Sequence, residues 1–85
     1  MAIGYVFISA APSKEHEVYE ALLKLSSSSE SRETITHRLD VLFGEWDLVT
    51  VLEAKDYNEL GLYVVNGIKK IPGVIDTKLH TGIKF

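Results

Sequence analysis

The sequence predicts one small α+β domain, residues 1–85, in which strands and helices follow the order β-α-β-β-α-β. Runs rich in β-branched and aromatic residues predict the strands, and apolar residues at helical spacing predict the helices between them. A chain of 85 residues is long enough for one domain only. Because it has no cysteine, and because a domain this small buries only about 60% of its unfolded surface, we expect self-association to stabilise it.

The first strand is predicted over residues 3–10, where β-branched and aromatic side chains precede Pro12. Pro12 suits the first turn of a helix, and Ser13 is a candidate N-cap. The residues that follow predict an amphipathic helix at about residues 13–25. Its apolar positions are Val18, Ala21, Leu22 and Leu25.

The middle of the chain predicts a β-hairpin. The serine-rich residues 26–31 are expected to form a solvated, mobile loop. Alternation of apolar and polar residues from Glu33 to Phe43 predicts a half-buried strand, and the apolar residues 48–54 predict the next one. A short segment containing Gly44 separates them, as in a hairpin.

The last third predicts a helix and a strand. Asp56 and Glu59 have the spacing of a capping box, and the helical period continues as far as Ile71. Residues 62–67 could also be a strand entering an Asn-Gly turn, but the cap and the four-residue spacing together favour a helix. Alternation over residues 74–85, after a Pro-Gly stop, predicts the final strand.

This order is the split βαβ, ferredoxin-like arrangement: a four-stranded antiparallel sheet with both helices on one face. Right-handed crossovers place the first and third strands in its centre. Both faces of these two strands are apolar, so the face without helices is predicted to pack against a second copy, as in dimeric α+β barrels. The predicted dimer-interface residues are Tyr5, Phe7, Leu48 and Thr50.

Charge and hydropathy exclude several classes of partner. The net charge is −3, from 9 basic and 12 acidic residues, whereas nucleic-acid binding needs a clustered basic face. The apolar N-terminal run has no positively charged flank and is too short for a signal peptide or a membrane span. We therefore expect a cytoplasmic protein that contacts neither nucleic acid nor membrane directly.

Motifs for catalysis are missing from the sequence. The 3 histidines, His16, His37 and His80, lack metal-ligand spacing, and neither a Gly-rich phosphate loop nor a nucleophile elbow occurs. We expect no catalytic residue, metal or cofactor, and hence no enzyme. One enzymatic alternative is a dimeric α+β barrel that uses His37 or His80, with Asp40, in a cavity between sheet and helices.

The hairpin segment Gly44-Glu45-Trp46-Asp47 supports two interpretations. As a plain turn, it needs Gly44 for a positive φ and Asp47 to accept backbone amides. As a binding site, it offers backbone N–H groups to a carboxylate, the Asp47 carboxylate to an ammonium group, and Trp46 to exclude solvent. Those parts suit a zwitterionic amino acid.

The hairpin sequence Phe43-Gly44-Glu45-Trp46-Asp47-Leu48, with the capped segment 56–61 and the segment 71–77, resembles the effector-binding (RAM) domain of Lrp/AsnC-type transcription regulators. The resemblance extends from about Ala2 to Thr81. It implies dimers that pair through the sheet and assemble into rings, commonly octamers, with an amino-acid effector between dimers. The residues to which it assigns that effector are Gly44, Glu45, Trp46, Asp47 and Thr77, with Thr81 as a further candidate.

Full-length regulators of this type also carry a helix-turn-helix, which this sequence lacks. The resemblance therefore implies a stand-alone form that modulates transcription without binding DNA, by sensing an amino acid or by joining rings with full-length regulators. The sequence departs from the family pattern at Phe43 and Trp46, whose bulk reduces the space for a ligand, and at Leu79, which stands where the family often has a second hydroxyl. A ligand-free structural assembly domain is the alternative function.

Overall fold

The computed structural model describes residues 2–27 and 34–82, and its elements follow the predicted order. A short 3₁₀ helix, Ile68–Lys70, follows the second α-helix. The strands and α-helices are β1 (Ala2–Ala10), α1 (Glu15–Ser26), β2 (Ile35–Val41), β3 (Leu48–Ala54), α2 (Tyr57–Asn66) and β4 (Val74–Gly82).

Three of the sequence predictions fall partly outside the described residues. They are the serine-rich loop from residue 28 onward, the start of the second strand at Glu33, and the end of the last strand at residues 83–85.

The four strands form one antiparallel sheet in the order β2-β3-β1-β4. The first and third strands therefore lie in the centre, as the crossover rule predicts. Together with the two helices, this order confirms the predicted ferredoxin-like α+β fold.

The strand register defines two faces of the sheet, because directly paired residues in antiparallel strands point to the same side. Val6 pairs with Thr50 and Ile8 with Leu48, and all four side chains are buried. They pack with aliphatic residues of both helices, so we call this side the covered face. The helical contributions to the core are Val18 and Leu22 from α1, and Leu60 and Val64 from α2.

The opposite side, which we call the open face, differs from the prediction at two residues. Tyr5 and Phe7 lie on it, as expected, but their partners on β3 are Val51 and Val49. The assignment of Leu48 and Thr50 to a dimer interface is wrong, because both are buried on the covered face. Alternation along a strand separates two sets of side chains, but only the pairing decides which set faces the helices.

A register shift between Thr36 and Arg38 in β2 breaks the predicted alternation of that strand. Ile35 pairs with Glu53 on the open face, whereas Leu39 pairs with Thr50 on the covered face. An inserted residue changes the side to which the following residues point. The predicted alternation, which would place Ile35 and Leu39 on one face, is therefore interrupted within β2.

The N-cap residue of α2 is the predicted one, whereas that of α1 is not. Asp56 caps α2, since its carboxylate accepts the Glu59 amide at 2.9 Å, which confirms the helix over the alternative strand. Ser13 is not the predicted N-cap. It adopts a left-handed φ of 70° in a turn closed by the Lys14 amide and the Ala11 carbonyl (2.9 Å), and Lys14 holds the cap position without a side-chain bond.

Candidate functional site

The loop between β2 and β3, residues 42–47, is fixed to the end of β1 by hydrogen bonds that converge on Asp47. The Leu42 amide donates to the Asp47 carbonyl at 2.8 Å, and the Asp47 amide donates to the Ile8 carbonyl at 3.0 Å. The Ala10 amide donates to Asp47 Oδ2 at 2.8 Å. Asp47 therefore positions this hairpin loop against the central strand, while Oδ1 forms no hydrogen bond within residues 2–27 and 34–82.

The tip of the hairpin loop faces solvent. Gly44 has a φ of 140°, and a Cβ there would meet no atom within 4 Å, so the glycine serves the backbone conformation rather than close packing. Phe43 is fully exposed, with a relative accessibility of 101%, and Glu45 is exposed as well. A loop held by backbone hydrogen bonds thus presents an aromatic ring and a carboxylate to its surroundings.

Trp46 turns back toward the open face and extends an aromatic cluster there. Its ring centroid lies 6.3 Å from that of Phe7, with the planes tilted by 49°. Phe7 in turn meets His80 of β4 edge-on at 5.6 Å. The hairpin loop and the open face are therefore continuous surfaces.

Thr77, the remaining predicted ligand residue, lies away from the hairpin loop. It pairs with Ile8, whose partner on the other side is Leu48, so two strand spacings of about 4.8 Å each separate Thr77 from β3. It shares the covered face with Ile8, whereas Trp46 contacts Phe7 on the open face. A single chain therefore does not unite Thr77 and Trp46 in one pocket.

Thr77 instead lines an open cleft of about 190 Å³ beside β4, which we call the β4 cleft. Thr81, the further candidate, pairs with Gly4 and is exposed. The cleft residues are Lys69, Val74, Ile75, Asp76 and Thr77. The sequence did not indicate this cleft, which lies between the 3₁₀ helix that carries Lys69 and the first residues of β4.

The open face also contains a buried carboxylate that the sequence did not predict. Glu53 is only 5% exposed, and His37 Nε2 lies 2.8 Å from its Oε1. No local signal pointed to this pair, since Glu53 lies within an apolar strand and His37 follows a serine-rich segment. The pair joins β2 to β3 at the register shift in β2.

The positions of the histidines bear on the enzymatic alternative. His37 bonds Glu53 and His80 contacts Phe7, so both lie on the open face. That alternative required one of them between sheet and helices, where the core is built from aliphatic side chains. Within the described ranges, three or more His, Cys, Asp or Glu residues nowhere come together in an arrangement that could hold a metal ion.

Membrane insertion by a helix finds no candidate either: among residues 2–27 and 34–82, none of the helices is both long and apolar enough to cross a bilayer.

Comparison with known proteins identifies relatives by structure only. No protein-family model matches the chain, and no curated protein matches its sequence. A solved structure of FFRP-DM1 is 25% identical and superposes with a TM-score of 0.77, covering 98% of this chain and 100% of its own.

Two longer regulators share the same fold. AsnC of E. coli superposes with a TM-score of 0.72 at 15% identity, over 99% of this chain and 52% of its own. The transcriptional regulator NMB0573 of Neisseria meningitidis, solved as a complex with L-Met, gives a TM-score of 0.74 at 18% identity, over 98% and 50%. The chain thus spans about half the length of these regulators and has the fold of one of their domains, which confirms the resemblance at the level of fold.

Proposed function

We propose that this chain is an effector-binding and assembly domain of the kind found in AsnC-type regulators. In this proposal it pairs through the open face, assembles further into a ring, binds an amino acid beside the hairpin loop, and modulates transcription without contacting DNA. The observation that carries the proposal is the hairpin loop, a fixed loop with exposed backbone next to an uncovered apolar sheet face.

The open face supports the pairing. Tyr5 is 42% exposed, and Phe7, Val49 and Val51 are only half-buried although they lie on the two central strands. Burying apolar area stabilises a complex by roughly 25 cal/mol per Å². A second copy packed sheet against sheet would remove this area from water.

The hairpin loop supports the ligand. No atom lies within 4 Å of the position that a Cβ would take on Gly44, so a carboxylate has room to approach the loop backbone. Asp47 Oδ1 has no partner among the described residues, which suits an ammonium group. The N. meningitidis regulator of the same fold was solved with L-Met. A free amino acid is therefore the class of effector we propose for this chain.

Titration calorimetry with each standard amino acid tests the sensing role, and the informative variant is Asp47→Asn. Asparagine still offers an oxygen to the Ala10 amide, so the loop is retained while the charge is removed. Loss of a charged hydrogen bond predicts affinity about 10- to 100-fold weaker. The matched control, Asp56→Asn, makes the same change at the cap of α2, where asparagine is an equally good cap, and should bind as the unmodified chain does.

If no amino acid produces heat or a thermal shift, the sensing role is wrong. If an amino acid binds and Asp47→Asn does not weaken it, the effector binds elsewhere.

A ligand-free assembly domain is the second candidate, and one observation favours it. The Asp47 carboxylate already accepts the Ala10 amide at 2.8 Å, so its position is explained by the fold alone. This function predicts stable rings whose melting temperature does not change with any amino acid.

A further inference from the structure

Phe43 is an exposed apolar side chain that has no part in holding the hairpin loop together. The hydrogen bonds of Leu42 and Asp47 hold the loop, yet the Phe43 ring is fully exposed at its tip. Its neighbour on the edge strand β2, Val41, is 56% exposed. Because hydrogen bonds already hold this loop, binding through its aromatic ring would cost little conformational entropy.

The β4 cleft has a suitable size for that ring. Its volume is about 190 Å³, and it is open to solvent with a lining that is more polar than apolar, so the ring would lie against its apolar residues rather than be enclosed. Val74 and the 63%-exposed Ile75 supply apolar surface, to which the methylene stem of Lys69 adds.

Charge is complementary between the loop tip and the cleft. Glu45 is an exposed acid two residues after Phe43. Lys69 borders the cleft, and no carboxylate among residues 2–27 and 34–82 pairs with its ammonium group. Asp76 also lines the cleft and accepts the Thr77 amide at 2.8 Å, so the Glu45 carboxylate has to enter on the Lys69 side.

The two features lie at opposite edges of the same sheet. Phe43 follows β2 and the cleft borders β4, and these are the outer strands in the order β2-β3-β1-β4. Three strand spacings, about 14 Å in all, prevent the ring from reaching the cleft of its own chain. The features can therefore meet only between copies.

We propose that Phe43 of one copy inserts into the β4 cleft of the next, with Glu45 paired to its Lys69. This inference rests on the ring assembly in the proposed function and names the contact that builds it. The contact is heterologous, joining different surfaces of the two copies, whereas the open-face pairing is isologous. Repetition of a heterologous contact closes into a ring when its rotation allows.

The first test is Phe43→Ala, followed by sedimentation velocity over a concentration series. Truncating a buried aromatic at an interface commonly weakens association about 30-fold or more, so the variant should stop at the open-face dimer. The control, Val65→Ala, truncates another exposed apolar residue, on α2, and should leave the ring intact.

The second test exchanges the charges. Glu45→Lys and Lys69→Glu should each weaken the ring several-fold, and the double variant Glu45→Lys with Lys69→Glu should restore it. Both side chains are exposed, so these changes do not disturb folding, which the thermal unfolding of each variant checks. The double variant has the net charge of the unmodified chain, so its control is Glu20→Lys with Lys69→Glu, which has the same net charge at another exposed acid and should not restore the ring.

Two results would overturn the inference. One is a ring that keeps its mass in Phe43→Ala and in both single charge variants; the contact is then elsewhere, while open-face pairing and amino-acid binding stand. The other is an unmodified chain that never exceeds a dimer. Calorimetry with amino acids tests sensing independently of either result.

Discussion

The covered and open faces of the sheet are built from alternate residues of the same strands, yet they differ in what completes them. On the covered face, Val6 and Ile8 have no exposed surface because two helices lie over them. On the open face, the neighbouring Tyr5 is 42% exposed. The covered face is completed by helices of the same chain, whereas the open face is largely apolar along its two central strands and has no covering layer.

This difference suggests a division of roles. The covered face supplies the stability of the folded chain, and the open face, continuous with the hairpin loop through Phe7 and Trp46, supplies surface for association. Glu53 is an exception, because its carboxylate is buried on the open face beside His37. Covering this region with a second copy requires that the pair stay hydrogen-bonded.

The largest expected effect comes from one substitution made on each face of β1. Ile8→Ala should lower the free energy of unfolding by about 2–5 kcal/mol, because it leaves a cavity in the core. Ile3→Ala, on the half-buried open face, should cost clearly less in dilute solution. Urea denaturation of both variants measures the difference, and equal losses would contradict the division between the faces.

A charge placed on the open face should act on association rather than on folding. Val51→Lys puts an ammonium group opposite Tyr5, where pairing would bury it without a partner. We expect the dimer dissociation constant to rise about 100-fold or more, as measured by sedimentation equilibrium. Val65→Lys on α2 is the control, and a Val51→Lys chain that still dimerises would show that the interface is elsewhere.

A smaller effect is expected where the hairpin loop joins the end of β1. Asp47→Ala leaves the half-buried Ala10 amide without its acceptor, which should reduce the free energy of unfolding by about 1–2 kcal/mol. Asp47→Asn should retain most of that stability. Thermal unfolding of the two variants distinguishes the hydrogen bond from the charge; an Asp47→Ala chain as stable as the original would mean that the loop is not part of the folded unit.

The smallest effect is expected at the tip of the same loop. Phe43→Ala should change the free energy of unfolding of the unassembled chain by no more than about 0.5 kcal/mol, because the ring makes no packing contact to lose. Chemical denaturation at low protein concentration is the measurement. A larger loss would indicate that the ring packs within its own chain in solution.

The local sequence pattern was sufficient to predict the order of the strands and helices and the N-cap of α2. Asp56 and Glu59 lie close in sequence, and the cap they predict depends on no distant residue. The Gly44 turn was likewise predictable, because a positive φ favours glycine wherever it occurs. Ser13 shows the limit of such signals, since a good capping residue was used in a left-handed turn instead.

The candidate site was predictable only in part. The sequence singled out the hairpin loop, whereas the His37–Glu53 pair joins residues 16 positions apart on neighbouring strands, and the β4 cleft depends on how the 3₁₀ helix packs beside β4. The separation of Thr77 from Trp46 likewise follows from the strand order.

By itself, the sequence determined which segments are strands and helices, because hydrophobic period and turn chemistry are local properties. Only the tertiary structure decided that Leu48 and Thr50 belong to the covered face and Val49 and Val51 to the open one. The physical reason is the two-residue period of a strand: a shift of one residue in pairing exchanges its faces, and the pairing is set by the partner strand.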